Sequence, residues 1–115
     1  MASHESPTVS FHLDVASRAA FDAQAMRKLD VVATDRLLLG LNCFEPGQSQ
    51  RVHAHEGADK FYLVLSGKAS VVVGGETREL AAGDLAFAPA GVPHGVAAAH
   101  ERTVMLVGIT RAVQP

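Results

Sequence analysis

The sequence predicts an all-β domain, a sandwich or a barrel. Three observations carry this. Apolar residues come in runs of strand length. Glycine or proline interrupts them at close, fairly regular intervals. No apolar stripe recurs at helical spacing over enough residues to build a bundle. Many short strands separated by turn residues are the signature of a sheet packed on or closed around itself.

The elements follow in order. Residues 1–7 are polar and are expected to be a flexible N-terminus. From Thr8 to Val15 the chain alternates, with Val9, Phe11, Leu13 and Val15 on one side and Ser10, His12 and Asp14 on the other. That pattern predicts a half-buried extra strand. Ser17 to Lys28 reads as a short helix capped by Ser17, with Phe21, Ala25, Met26 and Leu29 on one face, or as an irregular crossing segment. Leu29 to Ala33 is a short strand, and Thr34-Asp35-Arg36 a turn. Leu37 to Phe44 is nearly continuous in apolar residues and stops at Glu45-Pro46-Gly47, which predicts a strand buried on both faces.

Phe61 to Leu65 is a further apolar strand, ending at Ser66-Gly67. Ala69 to Val73 and Thr77 to Leu80 flank Gly74-Gly75, a hairpin signal. Leu85 to Ala88 is stopped by Pro89, and Gly91-Val92-Pro93 bends the chain before His94. Gly95 to Ala99 and Thr103 to Ile109 complete the set. Residues 8–110 are thus expected to form a single domain, with 111–115 a C-terminal tail. Phe87 and Met105 are expected to fill the core, and Cys43 to be a buried small hydrophobe.

Composition narrows the function. The chain has 115 residues and a formal net charge of −2. A chain of that length buries one core without staples. The balance of charge gives no electrostatic reason to expect nucleic acid or an anionic membrane as partner. The single cysteine excludes an intramolecular disulfide framework. The first residues lack the basic and apolar regions of a signal peptide, and no apolar run reaches membrane-spanning length. A cytoplasmic location is the expectation.

The chemistry concentrates between Gly47 and Gly67. His53 and His55 are one residue apart at the mouth of an expected strand, where positions i and i+2 face the same side. Both imidazoles can then enter one cavity, a geometry suited to a metal ion. Gly47 precedes His53 by five intervening residues, and Gly67 closes the stretch. Downstream, Gly83 is followed after five residues by Pro89-Ala90-Gly91 and, two residues later, by His94. These two spaced motifs, with the hairpin between them, make the chain resemble a small single-domain cupin.

That resemblance implies an antiparallel jelly-roll β-barrel enclosing a metal site built from three histidines and a glutamate. It assigns His53, His55 and His94 as ligands of a divalent ion, Zn, Fe, Mn or Ni. Two positions depart from the family pattern. Lys60 stands where the glutamate is expected, and Ala98 where an asparagine is. The first departure matters, because a protonated lysine adds positive charge where a carboxylate would remove it. Three arrangements are compatible with it. The histidines can bind a metal alone. Glu56 or Asp59 can supply an oxygen, Asp59 only with a bulge that turns it inward. Or the site holds metal weakly or not at all, and Lys60 with the histidines binds an anion.

If Lys60 faces inward, alternation puts Tyr62 and Val64 on the same face. Tyr62 then either offers its hydroxyl to a ligand or buries it against a partner in the core. The motif glycines are expected at turns that need positive φ, and His4, His12 and His100 on the surface. Taken together, the residues suggest a metal-dependent enzyme, dioxygenase- or isomerase-like, acting on a small anionic organic molecule, with Lys60 and Tyr62 in the substrate pocket. The alternatives are a non-catalytic binding or sensing domain and a structural subunit. By resemblance a homodimer is expected, with Thr8 to Val15 the candidate for exchange or edge pairing.

Overall fold

The computed structural model describes residues 8–111, and the expected flexible N-terminus and nearly all of the tail lie outside them. Nine strands follow a single 3-10 turn: β1 (Arg27–Ala33), β2 (Leu37–Phe44), β3 (Gln50–His53), β4 (Lys60–Ser66), β5 (Lys68–Val73), β6 (Glu76–Ala81), β7 (Leu85–Ala88), β8 (His94–Ala99) and β9 (Thr103–Thr110). All pairings are antiparallel. They form a five-stranded sheet, β1-β2-β9-β4-β7, and a four-stranded sheet, β3-β8-β5-β6. This is the expected all-β jelly-roll.

The main core lies between the sheets. Tyr62, Val64, Phe44, Met105 and Val107 of the larger sheet meet Ala69, Val71, Val96 and Ala99 of the smaller. A second cluster lies on the outer face of the larger sheet. There Leu41, Cys43 and Val104 are covered by Val15, Ala19 and Phe21 of the incoming chain. Two-sided cover is why the second half of β2, Leu41 to Phe44, is buried at every position. It also explains the apolar run, which no one-sided strand would tolerate. The covering segment is pinned. Gln48 donates its side-chain N–H to the Asp22 carbonyl at 2.7 Å. The Arg102 guanidinium lies 4.2 Å from the Phe21 ring centroid and makes a bidentate pair with Glu45.

Two expectations fail, and one open alternative is decided. Thr8 to Val15 is not a strand. Its alternation is real, but no strand among the described residues pairs with it, and Val9, Phe11 and Leu13 are 78%, 86% and 87% exposed. A period-2 pattern makes a strand only where a ladder can satisfy its backbone. Next, the stretch from Ser17 is the irregular crossing and not a helix. The 3-10 turn spans Val15–Arg18 and starts from Asp14 in the left-handed region. Ser17 sits inside it, its hydroxyl donating to the Asp14 carbonyl. Finally, Phe87 is 53% exposed. Ala86 and Ala88 take the inward positions of β7, and alternation turns Leu85 and Phe87 out. Met105 and Cys43 are buried as expected.

The motif glycines Gly47, Gly67, Gly83 and Gly91 all have positive φ. Gly67 is the most constrained. It turns the chain from β4 into β5, and a Cβ there would overlap the Arg102 carbonyl oxygen and Thr103. The Gly67→Ala substitution should therefore cost about 3 kcal/mol, combining left-handed strain with a backbone clash. Gly75, with open space at its Cβ position, should tolerate alanine with little change. Urea unfolding of both variants checks this; equal midpoints would contradict it.

Candidate metal centre

The site forms where β3 and β8 leave the four-stranded sheet. His53, at the end of β3, is the direct cross-strand partner of His94, at the start of β8. From Gln50 to His53 the strand advances three residues, while its partners on β8, Val96 to His94, advance two. Three residues of plain alternation would put Gln50 and His53 on opposite faces. The extra residue is a β-bulge, and it restores both to the interior. Gly95 makes room for it, because a Cβ there would lie 2.8 Å from the Gln50 carbonyl oxygen and 2.9 Å from the Val52 Cα.

His55 does not share the strand. It lies two residues beyond the end of β3, so its approach to His53 comes from the loop and not from strand alternation. That loop is tied to the one that presents His94. The Gly91 N–H donates to the His55 carbonyl at 2.9 Å, and the Ala90 N–H donates to the Asp59 carboxylate at 2.9 Å. Asp59 is also anchored through its own N–H to the Thr110 hydroxyl. Asp59 is therefore a tether between loops. Neither it nor Glu56 joins the histidine cluster.

The three imidazoles converge. Ring centroids are 4.7 Å apart for His53–His55 and His53–His94, and 5.2 Å for His55–His94. One ligating nitrogen from each lies within 4.8 Å of the others. Two tautomers are set by backbone. His53 donates its Nδ1–H to the Arg51 carbonyl at 2.8 Å, and His94 donates its Nδ1–H to the Val92 carbonyl at 2.9 Å. A carbonyl only accepts, so both Nε2 atoms of the neutral rings present lone pairs. This is the arrangement by which a backbone oxygen orients a ligand histidine.

The donor set fits a divalent ion. His94 Nε2 is buried and has no hydrogen-bond partner among the described residues, an arrangement that is costly for a polar atom unless something else occupies its lone pair. His53 Nε2 and His55 Nε2 stand 3.1 Å apart, close to the roughly 3.3 Å spacing of two nitrogens on a tetrahedral zinc. In the neutral protein the proton between them belongs to His55, since His53 carries its own on Nδ1. A cation held by both would displace it. Burial lowers the pKa of His55, as do the charges of His53, Lys60 and Lys28. Burial also lowers that of His94, helped by Lys60 and the other two histidines. Both shifts favour the neutral, ligating form.

Lys60 and Tyr62 face inward from β4, as alternation with Val64 requires. Lys60 is 2% exposed, and its Nζ lies 4.8 Å from the Tyr62 ring centroid. Burial, and next the charge of Lys28, bring its pKa down to about 8. Tyr62 is fully buried, and its hydroxyl donates to the Gln50 side-chain oxygen at 2.7 Å. Its partner is therefore a side chain from the facing sheet, and burial raises its pKa. Gln50 escapes sequence reasoning because its inward position depends on the bulge. Asn42 escapes too, although one amide inside the apolar run Leu37 to Phe44 is a usable signal. The remaining described histidines are peripheral: His12 bonds Ser10 and Arg18, and His100 bonds Ser70.

Comparison with known proteins agrees with this architecture. The cupin domain family model matches residues 40–110. The Streptomyces coelicolor protein SCO3923, described as uncharacterized, is 37% identical over 89 residues, 74% of this chain and 79% of that one. Among solved structures, TT1209 from Thermus thermophilus is 41% identical with a TM-score of 0.81, covering 85% of this chain and 94% of its own. KdgF from a Halomonas species is 26% identical with a TM-score of 0.78, covering 93% of this chain and 97% of its own.

The buried lysine has a measurable cost. A fall from the usual 10.5 to about 8 at about 1.4 kcal/mol per unit destabilises the folded state by roughly 3 kcal/mol. The sign follows from proton linkage. Below pH 8 both states hold the proton and the full cost applies. Between pH 8 and 10.5 the folded protein releases it first, and the cost fades; above 10.5 it is gone. Lys60→Met should therefore exceed the parent in stability by that amount at pH 7, the gap closing as pH rises to 10.5. Chemical denaturation of both proteins across this range is the measurement. A gap independent of pH would mean the ammonium is not desolvated.

Proposed function

This chain belongs to the cupin domain family, and on that premise we propose that it holds a divalent metal ion through His53, His55 and His94 and acts on a small anionic organic molecule inside the barrel. The observation that carries the reading is the set of three imidazoles aimed at one point, with two Nδ1–H groups committed to backbone carbonyls. Lys60 supports the anionic character of the ligand, as a buried cation beside the histidines that the sheet presents inward. A bound ion there would supply Lewis acidity, or one-electron chemistry if it is iron or manganese. The chain's own contribution is to orient and to exclude water. The rigid β3–β8 pairing fixes His53 and His94, the tethered loops fix His55, and Lys60 offsets negative charge on the ligand. An isomerase-like or dioxygenase-like reaction fits these parts, and the fold itself does not choose between them.

A second reading is a binding or sensing domain without catalysis. One observation favours it: among the described residues no carboxylate joins the cluster to serve as a general base. The homodimer and the cytoplasmic location expected from the sequence are carried into both readings as part of the proposal. Among the described residues no helix is long and apolar enough to cross a membrane.

Elemental analysis of untagged protein after incubation with Zn, Fe, Mn or Ni salts decides the metal. About one equivalent should be retained by the parent and lost in His53→Ala and His94→Ala. Retention below about a tenth of an equivalent in the parent would rule out the three-histidine centre. Given a metal, turnover of any small carboxylic acid in a substrate screen supports the enzyme. Tight binding with no turnover supports the sensor.

A further inference from the structure

A cavity of about 90 Å³ lies against the inner face of β1, β2, β9 and β4, lined among others by Lys28, Asp30, Gly40, Asn42, Lys60 and Ile109. Gly40 lets β1 lie close along this wall, since a Cβ there would sit 2.7 Å from the Leu29 carbonyl oxygen. The space is that of about three waters at roughly 30 Å³ each, enough for the charged end of a small molecule. Asn42 is 4% exposed, and its Nδ2 amide has no hydrogen-bond partner among the described residues. Such a group, buried and unpaired, is costly unless a ligand completes it. Lys28 is the cross-strand partner of Asn42 and projects from the same face. Lys60 enters from β4.

The unpaired group is a donor, and the charges around it are two cations against one carboxylate. Asp30 and Lys28 are both exposed, whereas Lys60 and Asn42 are buried. Asp30 opposes a second negative charge, so a singly charged carboxylate suits the cavity better than a phosphate dianion. The same lysine reaches the metal centre. Its Nζ lies 4.8 Å from the Tyr62 ring centroid, and the His94 ring centroid lies 6.1 Å from that same ring, so its ammonium opposes a cation placed among the histidines. The three histidines bring no negative charge to offset a divalent ion, and among the described residues no acidic side chain joins them.

We propose that Lys28, Asn42 and Lys60 form a carboxylate-binding subsite, and that carboxylate and metal bind this barrel as a linked pair, each raising the other's affinity. The inference rests on the three-histidine reading and names the ligand class for it. An anion beside Lys60 cancels the repulsion that the lysine exerts on the metal, and the metal adds attraction for the anion. Linkage makes the two effects equal in size.

The test is calorimetric titration of Zn²⁺ into the full chain in a non-coordinating buffer, with acetate or with chloride at equal ionic strength. Zinc should bind about tenfold more tightly in acetate, within the usual range of coupling between sites. Asn42→Leu removes the unpaired amide without opening a void. It should fold as the parent does, bind zinc equally in chloride, and lose most of the acetate enhancement. Lys60→Met should bind zinc more tightly than the parent in chloride and show no enhancement. Equal zinc affinity in the two salts, or the same enhancement in all three proteins, overturns the linked pair. Zinc uptake that His94→Ala abolishes but acetate does not change overturns the pairing alone. Absence of zinc uptake in both salts overturns the histidine centre as well.

Discussion

The interior of this barrel depends on one extra residue in β3. Strand alternation cannot place both Gln50 and His53 inside, because they are three positions apart. The bulge does so, and Gly95 on the neighbouring strand admits it by presenting no Cβ to the Gln50 carbonyl. Two contacts between the sheets and the site follow. Gln50 takes the Tyr62 hydroxyl at the centre of the core, and His53 comes opposite His94. A regular strand would give up one or the other. Either the phenol would be buried without an acceptor, at about 1–3 kcal/mol, or the histidine cluster would lose a member.

Around that point the chain fixes its ligands by backbone more than by side chain. The carbonyls of Arg51 and Val92, each two residues before a histidine, select the ring nitrogen that carries the proton. The Asp59 carboxylate, a candidate ligand by position in sequence, is spent on the Ala90 N–H. What it supplies is a fixed distance between two loops. The result, among the described residues, is a set of neutral donors with no acidic member, a three-histidine donor set that leaves the charge of a divalent ion uncompensated.

Lys60 makes sense against that donor set. A buried ammonium beside neutral imidazoles raises the energy of the folded state and opposes a metal ion. A residue with both costs is best understood through something that arrives with negative charge. The cavity beside it, with the unpaired Asn42 amide and the nearby Lys28, offers a place for that charge. Strain of this kind in an otherwise well-packed core is where local rules give way to function.

The sequence by itself determined eight of the nine strands from Leu29 onward, the turn glycines, and the motif spacing that singles out His53, His55 and His94. Each depends on local chemistry: apolar run length, positive φ, and breakers at fixed intervals. The tertiary structure decided which way side chains face wherever parity or partnership comes from elsewhere. The bulge sent Gln50 inward, and the loop contacts, not a strand, brought His55 to the site. Ala86 and Ala88 took the inward positions and left Phe87 outside. Thr8 to Val15 has the alternation of a strand, but a strand also needs a neighbour, and no sequence pattern supplies one. The buried position of Lys60 is the plainest case. Its neighbours in sequence mark the start of a strand, but only the assembled sheets take its charge out of water and set it against Tyr62 and an open cavity.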